Sequence, residues 1–354
     1  MNTGKILFFA AALALSAILT GCAGGGAGSG AAAGTGSARS AADAGDQGYS
    51  AAVLRVAIQP SAAFVPIYLL RDNGWLEEEA EKLGVTVEWT EFVSGPPMNE
   101  SFAAGQQDIG FIGDVPTVPT VSAIFAGQQN TVVGVAAWGE GGYAILVAQD
   151  SPIAGAEDLR GGKVGLTVGS TAQNLVEKYF KANGLDINND VEVVNLTVGD
   201  LATALANDQI DAAAVWEPSI TRLTDDGIAR VLADGTGILR GTNNIFSTTA
   251  FAEENPKLVQ LLLEQYARAA KALKDDPLGE SAKVAAAYSL SPEQLAKVTD
   301  KYDYSVVVAD EDIECLRGTT DFLRNIGVVT DPGFDIADHI DPSYANNADL
   351  AQYK

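Results

Sequence analysis

Three short turns carry the side chains best suited to chemistry: Ser94-Gly95-Pro96-Pro97, Gly113-Asp114-Val115-Pro116 and Gly169-Ser170-Thr171. Each follows an apolar, strand-like run and opens a helical pattern, so each presents the N-terminus of a helix. The first amides of a helix have no partner within it, and the peptide dipoles place their positive end there, so such a turn suits an anionic oxygen. The hydroxyls of Ser94, Ser170 and Thr171 add donors. For any one turn, ordinary capping uses the same Ser, Asp and Pro residues without a ligand, and Asp114 in particular is open to both readings.

Residues for covalent or metal chemistry are scarce. The chain has one histidine, His339, and two cysteines, Cys22 and Cys315. A hydrolytic triad normally uses histidine as its base, and the single candidate lies in the C-terminal stretch, where it reads as a surface residue. A Cys/His zinc site needs three or four clustered ligands, so neither a metal nor a cofactor is expected, and no enzyme activity. Gly162-Lys163 has the look of a phosphate loop, but Glu157 and Val164 occupy positions where that loop needs Gly and Ser or Thr.

The elements that must position the turns follow from periodicity. Leu54 to Ile58 alternates as a strand, followed by Gln59-Pro60-Ser61 and an apolar helical stretch from Phe64 to Arg71. Val85 to Phe92 and Asp108 to Ile112 are further strands, and the helix after Gly113 carries Val118, Val121, Ile124 and Phe125 before Gly127 ends it. The pattern restarts with strands at Tyr143 to Val147, Val164 to Val168, Val191 to Leu196 and Ala212 to Trp216. From Asn255-Pro256 the chain is mainly helical, with a capping box at Ser291-Pro292-Glu293-Gln294, and 331–354 reads as an irregular tail. This rhythm predicts an α/β protein with its loops gathered at the C-terminal ends of the strands.

The N-terminus reads as an export signal: Lys5, then an apolar run from Ile6 to Ile18. A bilayer-spanning helix needs about 20 apolar residues, more than this run supplies. Leu19-Thr20-Gly21-Cys22 looks like a bacterial lipobox, which implies cleavage before Cys22 and a diacylglycerol on its sulfur. Residues 1–21 are then signal peptide and 22–49 a lipidated cysteine with a Gly/Ala/Ser tether too poor in large apolar side chains to fold. Roughly 305 residues remain, which favours two domains. The net charge of −24 excludes a nucleic-acid partner, which requires clustered Lys and Arg, and suits an exported protein kept in solution.

Taken in order, Gln59, Ser94-Gly95-Pro96-Pro97, Gly113-Asp114-x-Pro116, Asp150-Ser151-Pro152, Asp158-Leu159-Arg160-Gly161-x-Lys163-Val164, Gly169-Ser170-Thr171 and Trp216-x-Pro218 resemble the aliphatic sulfonate, taurine and nitrate type of ABC-importer binding protein, over about residues 52 to 325. The resemblance implies a two-lobed, periplasmic-binding-protein-like fold of type II, each lobe a central mixed sheet flanked by helices, with the ligand in the cleft. It places the first lobe at 50–143 plus 241–354 and the second at 144–240. It also implies that Gln59, Ser94, Gly95, Gly113, Asp114, Ser170, Thr171, Trp216 and Glu217 face the cleft, with Trp138 and Trp216 as walls for an apolar tail. The implied partners are a sulfonate-like small molecule, a permease with its ATPase, and the membrane reached through Cys22; the receptor itself is expected to be a monomer on the outer face of the cell membrane or in the periplasm. Gln173 replaces a histidine frequent in close sulfonate binders, and Glu217 replaces a common Asp. Because Asp114 and Glu217 would repel an anion, a zwitterion such as taurine is a second expectation beside a plain alkanesulfonate. Nitrate, bicarbonate or a pyrimidine-type ligand, a sensor role, and a surface enzyme are the alternatives.

Overall fold

The computed structural model describes residues 48–122 and 129–353. The signal peptide, Cys22, nearly all of the tether, and Ile124, Phe125 and Gly127 lie outside the described residues.

The strands are β1 (Val53–Ile58), β2 (Thr86–Glu91), β3 (Ile109–Gly113), β4 (Asn130–Trp138), β5 (Tyr143–Ala148), β6 (Lys163–Leu166), β7 (Glu192–Asn195), β8 (Ala212–Trp216), β9 (Ala229–Asp234), β10 (Asn243–Thr248) and β11 (Asp303–Tyr304). They form two sheets, ordered β11-β4-β10-β3-β1-β2 and β7-β6-β8-β5-β9. Both follow one plan. In the first, β2, β1 and β3 are parallel, and β10, returning from the second sheet, inserts antiparallel between β3 and β4. In the second, β7, β6 and β8 are parallel, and β5, arriving from the first sheet, inserts antiparallel between β8 and β9.

Central strands covered on both faces must be apolar throughout. That is why β3 reads Ile-Gly-Phe-Ile and β8 reads Ala-Ala-Ala-Val, every one of these residues buried. Alternation sends Ala212 and Ala214 to the core on one face, with Leu175 and Phe180, and Ala213 and Val215 to the other, with Leu201 and Leu205. In the first sheet, Tyr68 and Tyr266 of the helices Val65–Asp72 and Pro256–Asp275 fill one face beside Phe111, and Met98, Phe102 and Phe246 fill the opposite side.

The chain passes between sheets at 139–142 and 235–242, and these crossings run side by side, the Gly139 amide donating to the Arg240 carbonyl at 3.2 Å. A Cβ on Gly139 would lie 2.4 Å from the Lys301 carbonyl oxygen, and Gly241 adopts φ +68°, so glycine is needed at both.

The C-terminal stretch differs from the irregular tail expected. Short helical turns at Ile336–His339 and Ser343–Asn347 seat against β4, with the Asp341 amide donating to Val132 O at 2.9 Å and Thr131 Oγ1 to His339 O at 3.2 Å. Ile336 and Tyr344 are buried, but isolated apolar residues so far apart show no period. His339 is half-buried and stacks on Phe334 with ring centroids 5.2 Å apart, where the sequence suggested a surface residue.

Burial lowers the His339 pKa from its ordinary 6.5. The unfolded chain then binds the proton at a higher pH than the folded one, so the ring's contribution is complete above pH 6.5 and is lost as pH falls through the lowered value. His339→Gln should therefore flatten the acid side of the stability profile. Urea midpoints measured across that range decide it, and parallel profiles for variant and wild type would clear His339 of any part.

Candidate functional site

The C-terminal ends of β1, β3, β6 and β8 converge, where open α/β sheets present their ligand sites. Gln59 follows β1, Gly113 closes β3, Gly169 and Ser170 follow β6, and Trp216 closes β8. A cavity of about 30 Å³ lies between Gln59, Gly113, Ser170 and Trp216, completed by Ser61, Phe64, Gly95, Pro96, Pro116, Tyr143, Thr171 and Asn243. Among the described residues, no Lys, Arg, Asp or Glu lines it. Its polar surface consists of neutral dipoles.

Ser170 is the residue best placed to bind. It is the N-cap of the helix Thr171–Ala182, yet its side chain makes no capping bond. Only 5% of the residue is exposed, and Oγ is buried without a partner. An unsatisfied buried hydroxyl costs about 1–3 kcal/mol, a cost that a ligand oxygen at the cavity wall removes. The turn is held by other means: Gln173 Oε1 accepts from the Gly169 amide at 2.8 Å, and Gly169 takes φ +80°.

The three helix starts are not equivalent. The helix Gly95–Ala103 begins Gly-Pro-Pro and the helix Asp114–Val121 has Pro116 in its first turn, so prolines remove amide donors from both. Only the helix Thr171–Ala182 keeps a full set. Gly95 and Gly113 serve close packing instead, since a Cβ on Gly95 would lie 2.5 Å from Pro116 Cγ and one on Gly113 2.7 Å from Thr171 Oγ1.

Ser94, Asp114, Trp138 and Glu217 do not line the cavity. Ser94 is buried at the N-cap of its helix without a capping bond. Asp114 is completely buried; Oδ1 accepts from Thr171 Oγ1 at 2.5 Å and Oδ2 from Thr319 Oγ1 at 2.6 Å. Glu217, equally buried, accepts from the Thr221 amide at 3.1 Å, Thr221 Oγ1 at 2.9 Å and Lys301 Nζ at 2.5 Å. Both carboxylates are satisfied by the protein, so the sign conflict with an anion does not demand a cationic group on the ligand. Trp138 ends β4 with the Arg240 guanidinium 4.1 Å above its ring.

Tyr143 and Asn243 escaped the sequence reading. They begin the two strands that cross between sheets, and Tyr143 OH donates to Asn243 Oδ1 at 3.1 Å within the cavity wall. Burial, then the nearby Asp114 charge, raises the Tyr143 pKa, so the phenol stays a neutral donor. The phenol opening the apolar run of β5 is a local signal of Tyr143, whereas β10, which reads Asn-Asn-Ile-Phe-Ser-Thr, carries none that singles out Asn243. Burial foremost, with Asp114 behind it, also pushes the Cys315 thiol up to about 11, which leaves it unreactive at neutral pH.

A profile of the NMT1-like family matches residues 50–289. The chain belongs to that family. It is 27% identical over 301 residues to a putative aliphatic sulfonates-binding protein of Bacillus subtilis, covering 83% of this chain and 87% of the relative. The crystal structure of the periplasmic aliphatic sulphonate-binding protein of Escherichia coli superposes with a TM-score of 0.71 at 27% identity, covering 82% of this chain and 92% of that one. The alkanesulfonate-binding protein of Xanthomonas axonopodis pv. citri, solved with MOPS bound, gives 0.72 at 25% identity, covering 82% and 98%. The resemblance drawn from the motifs thus holds, and the two-lobed periplasmic-binding-protein-like fold expected from it is the fold these members share with the chain.

Because the Gly113 turn and Thr171 meet across the two sheets, Gly113→Ala should prop the lobes apart. Small-angle scattering of the variant should show a larger radius of gyration than wild type; an identical radius would mean that Thr171 yields and the contact does not control closure.

Proposed function

We propose that this chain is the extracytoplasmic, lipid-anchored solute receptor of an ABC importer, that it binds a small aliphatic sulfonate such as an alkanesulfonate or taurine, and that it delivers this ligand to a permease and ATPase without catalysing a reaction. The observation that carries the reading is Ser170: a buried, unpartnered hydroxyl at the start of a 12-residue helix, on the wall of a cavity that no charged side chain among the described residues lines. A sulfonate is weakly basic and spreads its charge over three oxygens, so several neutral donors and a helix dipole suit it without a lysine or arginine. The cavity, about 30 Å³, is far below the roughly 300–1,000 Å³ usual for small-molecule sites, so a sulfonate enters only when the lobes part. Phe64 and Trp216 offer an apolar surface to a short tail. The relatives named for sulfonate binding support the same assignment.

Delivery needs a closed form that differs from the open one. The contacts of Asp114 and Glu217 join residues carried by different sheets, and they supply such a form.

Calorimetry on the full-length protein in detergent tests the ligand assignment. A hydrogen bond to a charged group contributes about 1.5–3 kcal/mol, so Ser170→Ala should weaken an alkanesulfonate roughly tenfold to a hundredfold. Ser170→Asp should do worse, because it adds a negative charge at the headgroup. Nitrate and bicarbonate share the headgroup chemistry but have no tail for Phe64 and Trp216, and should bind more weakly. Equal affinity of wild type and both variants for every anion tried would place the ligand elsewhere.

The lipid anchor rests on Leu19-Thr20-Gly21-Cys22. Cys22→Ser should accumulate as an uncut precursor without acyl mass. Intact-mass spectrometry of the wild type that found no acyl group, or an N-terminus upstream of Cys22, would remove this part of the proposal.

A further inference from the structure

Trp216 is a wall of two spaces. It lines the cavity and also a groove of about 200 Å³ whose lining includes Pro60, Val93, Val198, Arg222 and Tyr288. The two spaces also share chain neighbours: Gln59 and Ser61 line the cavity while Pro60 lines the groove, and Gly95 lines the cavity two residues from Val93. The cavity and the groove are therefore adjacent at the Trp216 side chain. The walls of the groove are mostly apolar, and Val93 is 73% exposed there.

Arg222 is the exception on those walls. In a chain of net charge −24, Arg55, Arg71, Arg160, Arg240, Arg317 and Arg324 each hold a carboxylate. Arg230 is spent on the Ser151 and Ile153 carbonyls, and Arg268 lies over the Trp75 ring. Arg222 is half-buried, has no carboxylate within ion-pair distance among the described residues, and makes one side-chain bond, to Ser219 Oγ at 3.1 Å. The acids nearest in its own helix do not reach it; Asp225 is engaged by Gln294 Nε2 at 2.6 Å.

We infer that Arg222 is a specificity-determining residue that binds an anionic group at the far end of the ligand, so that the preferred substrates are sulfonates whose short apolar tail ends in a carboxylate. The inference rests on the sulfonate reading of the cavity. In it, the headgroup meets Ser170 and the neutral donors, the methylene chain passes Trp216, and the planar guanidinium receives the carboxylate in two parallel hydrogen bonds. Charge complementarity favours this occupant: a cation left unpaired in so acidic a protein is the one place on the groove where a second negative charge gains rather than loses.

The test is calorimetry of the full-length protein with ω-sulfocarboxylates of two to five carbons against the alkanesulfonates of matching length. At the length that spans the two spaces, the carboxylate should improve affinity by about tenfold or more. Arg222→Gln should abolish that advantage while leaving the alkanesulfonate within about twofold of wild type, which also shows that the variant is folded. Arg222→Lys should retain part of it, since the charge remains and the bidentate geometry does not. Alkanesulfonate binding with no carboxylate advantage at any length, or an equal loss of both ligand series in Arg222→Gln, would overturn the role of Arg222 alone. Failure of every sulfonate to bind would remove the sulfonate reading and Arg222 with it.

Discussion

A carboxylate without solvent must find its hydrogen-bond donors inside the protein, because an unpaired buried charge costs several kcal/mol. Asp114 finds two, Thr171 at the start of the helix after β6 and Thr319 in the helix Asp310–Asn325. Asn174 extends the contact, donating to Thr319 at 3.3 Å. These residues come from the first sheet's turn, the second sheet's helix and the C-terminal helical region, so one side chain ties together three separate parts of the chain. The same bond fixes the start of the helix Thr171–Ala182, and with it the direction in which Ser170 faces. Opening the lobes has to break that bond and rehydrate the carboxylate.

The Glu217–Lys301 pair is a second such contact between distant parts of the chain. Glu217 is fully buried while the Lys301 side chain retains 37% of its exposure, so the pair is anchored at one end and reachable by water at the other. Such a contact gives a closed state without locking it, because the lysine can regain solvent when the lobes part. The Ala62 amide, 3.2 Å from the Glu217 carbonyl oxygen, adds a backbone link between the loop after β1 and the loop after β8. The residues that line the cavity and the residues that hold it closed are thus largely different sets, and Thr171 belongs to both.

A cavity lined by neutral dipoles is consistent with so acidic a chain. A cationic pocket would bind many anions tightly and release them slowly, whereas amides and hydroxyls fixed by the fold select by geometry. The prolines of two of the three turns narrow the choice further. By removing amide donors at the Gly95 and Gly113 helices they leave the helix after Gly169-Ser170-Thr171 as the one of the three with no proline in its first turn, and they supply rigid apolar walls to the cavity.

Sequence by itself determined the restart of the strand–helix pattern after Tyr143, the apolar runs of β3 and β8, the three small-residue turns and the scarcity of histidine and cysteine. All of these are local: a period, a capping signal or a count can be read without knowing what is near in space. The placement of Gln59, Ser170 and Trp216 around one cavity follows from where strands end, so motif order carried that far. Tertiary structure alone decided that Asp114 and Glu217 are occupied by Thr171, Thr319, Thr221 and Lys301, since most of those partners are distant in sequence and their side chains have no period. It also decided that Tyr143 and Asn243, a hundred residues apart, share a wall, and that the tail holding Ile336 and Tyr344 packs on β4. The physical reason is the same in each case: hydrogen-bond satisfaction and close packing are properties of neighbours in space, and the chain brings those neighbours together only by folding.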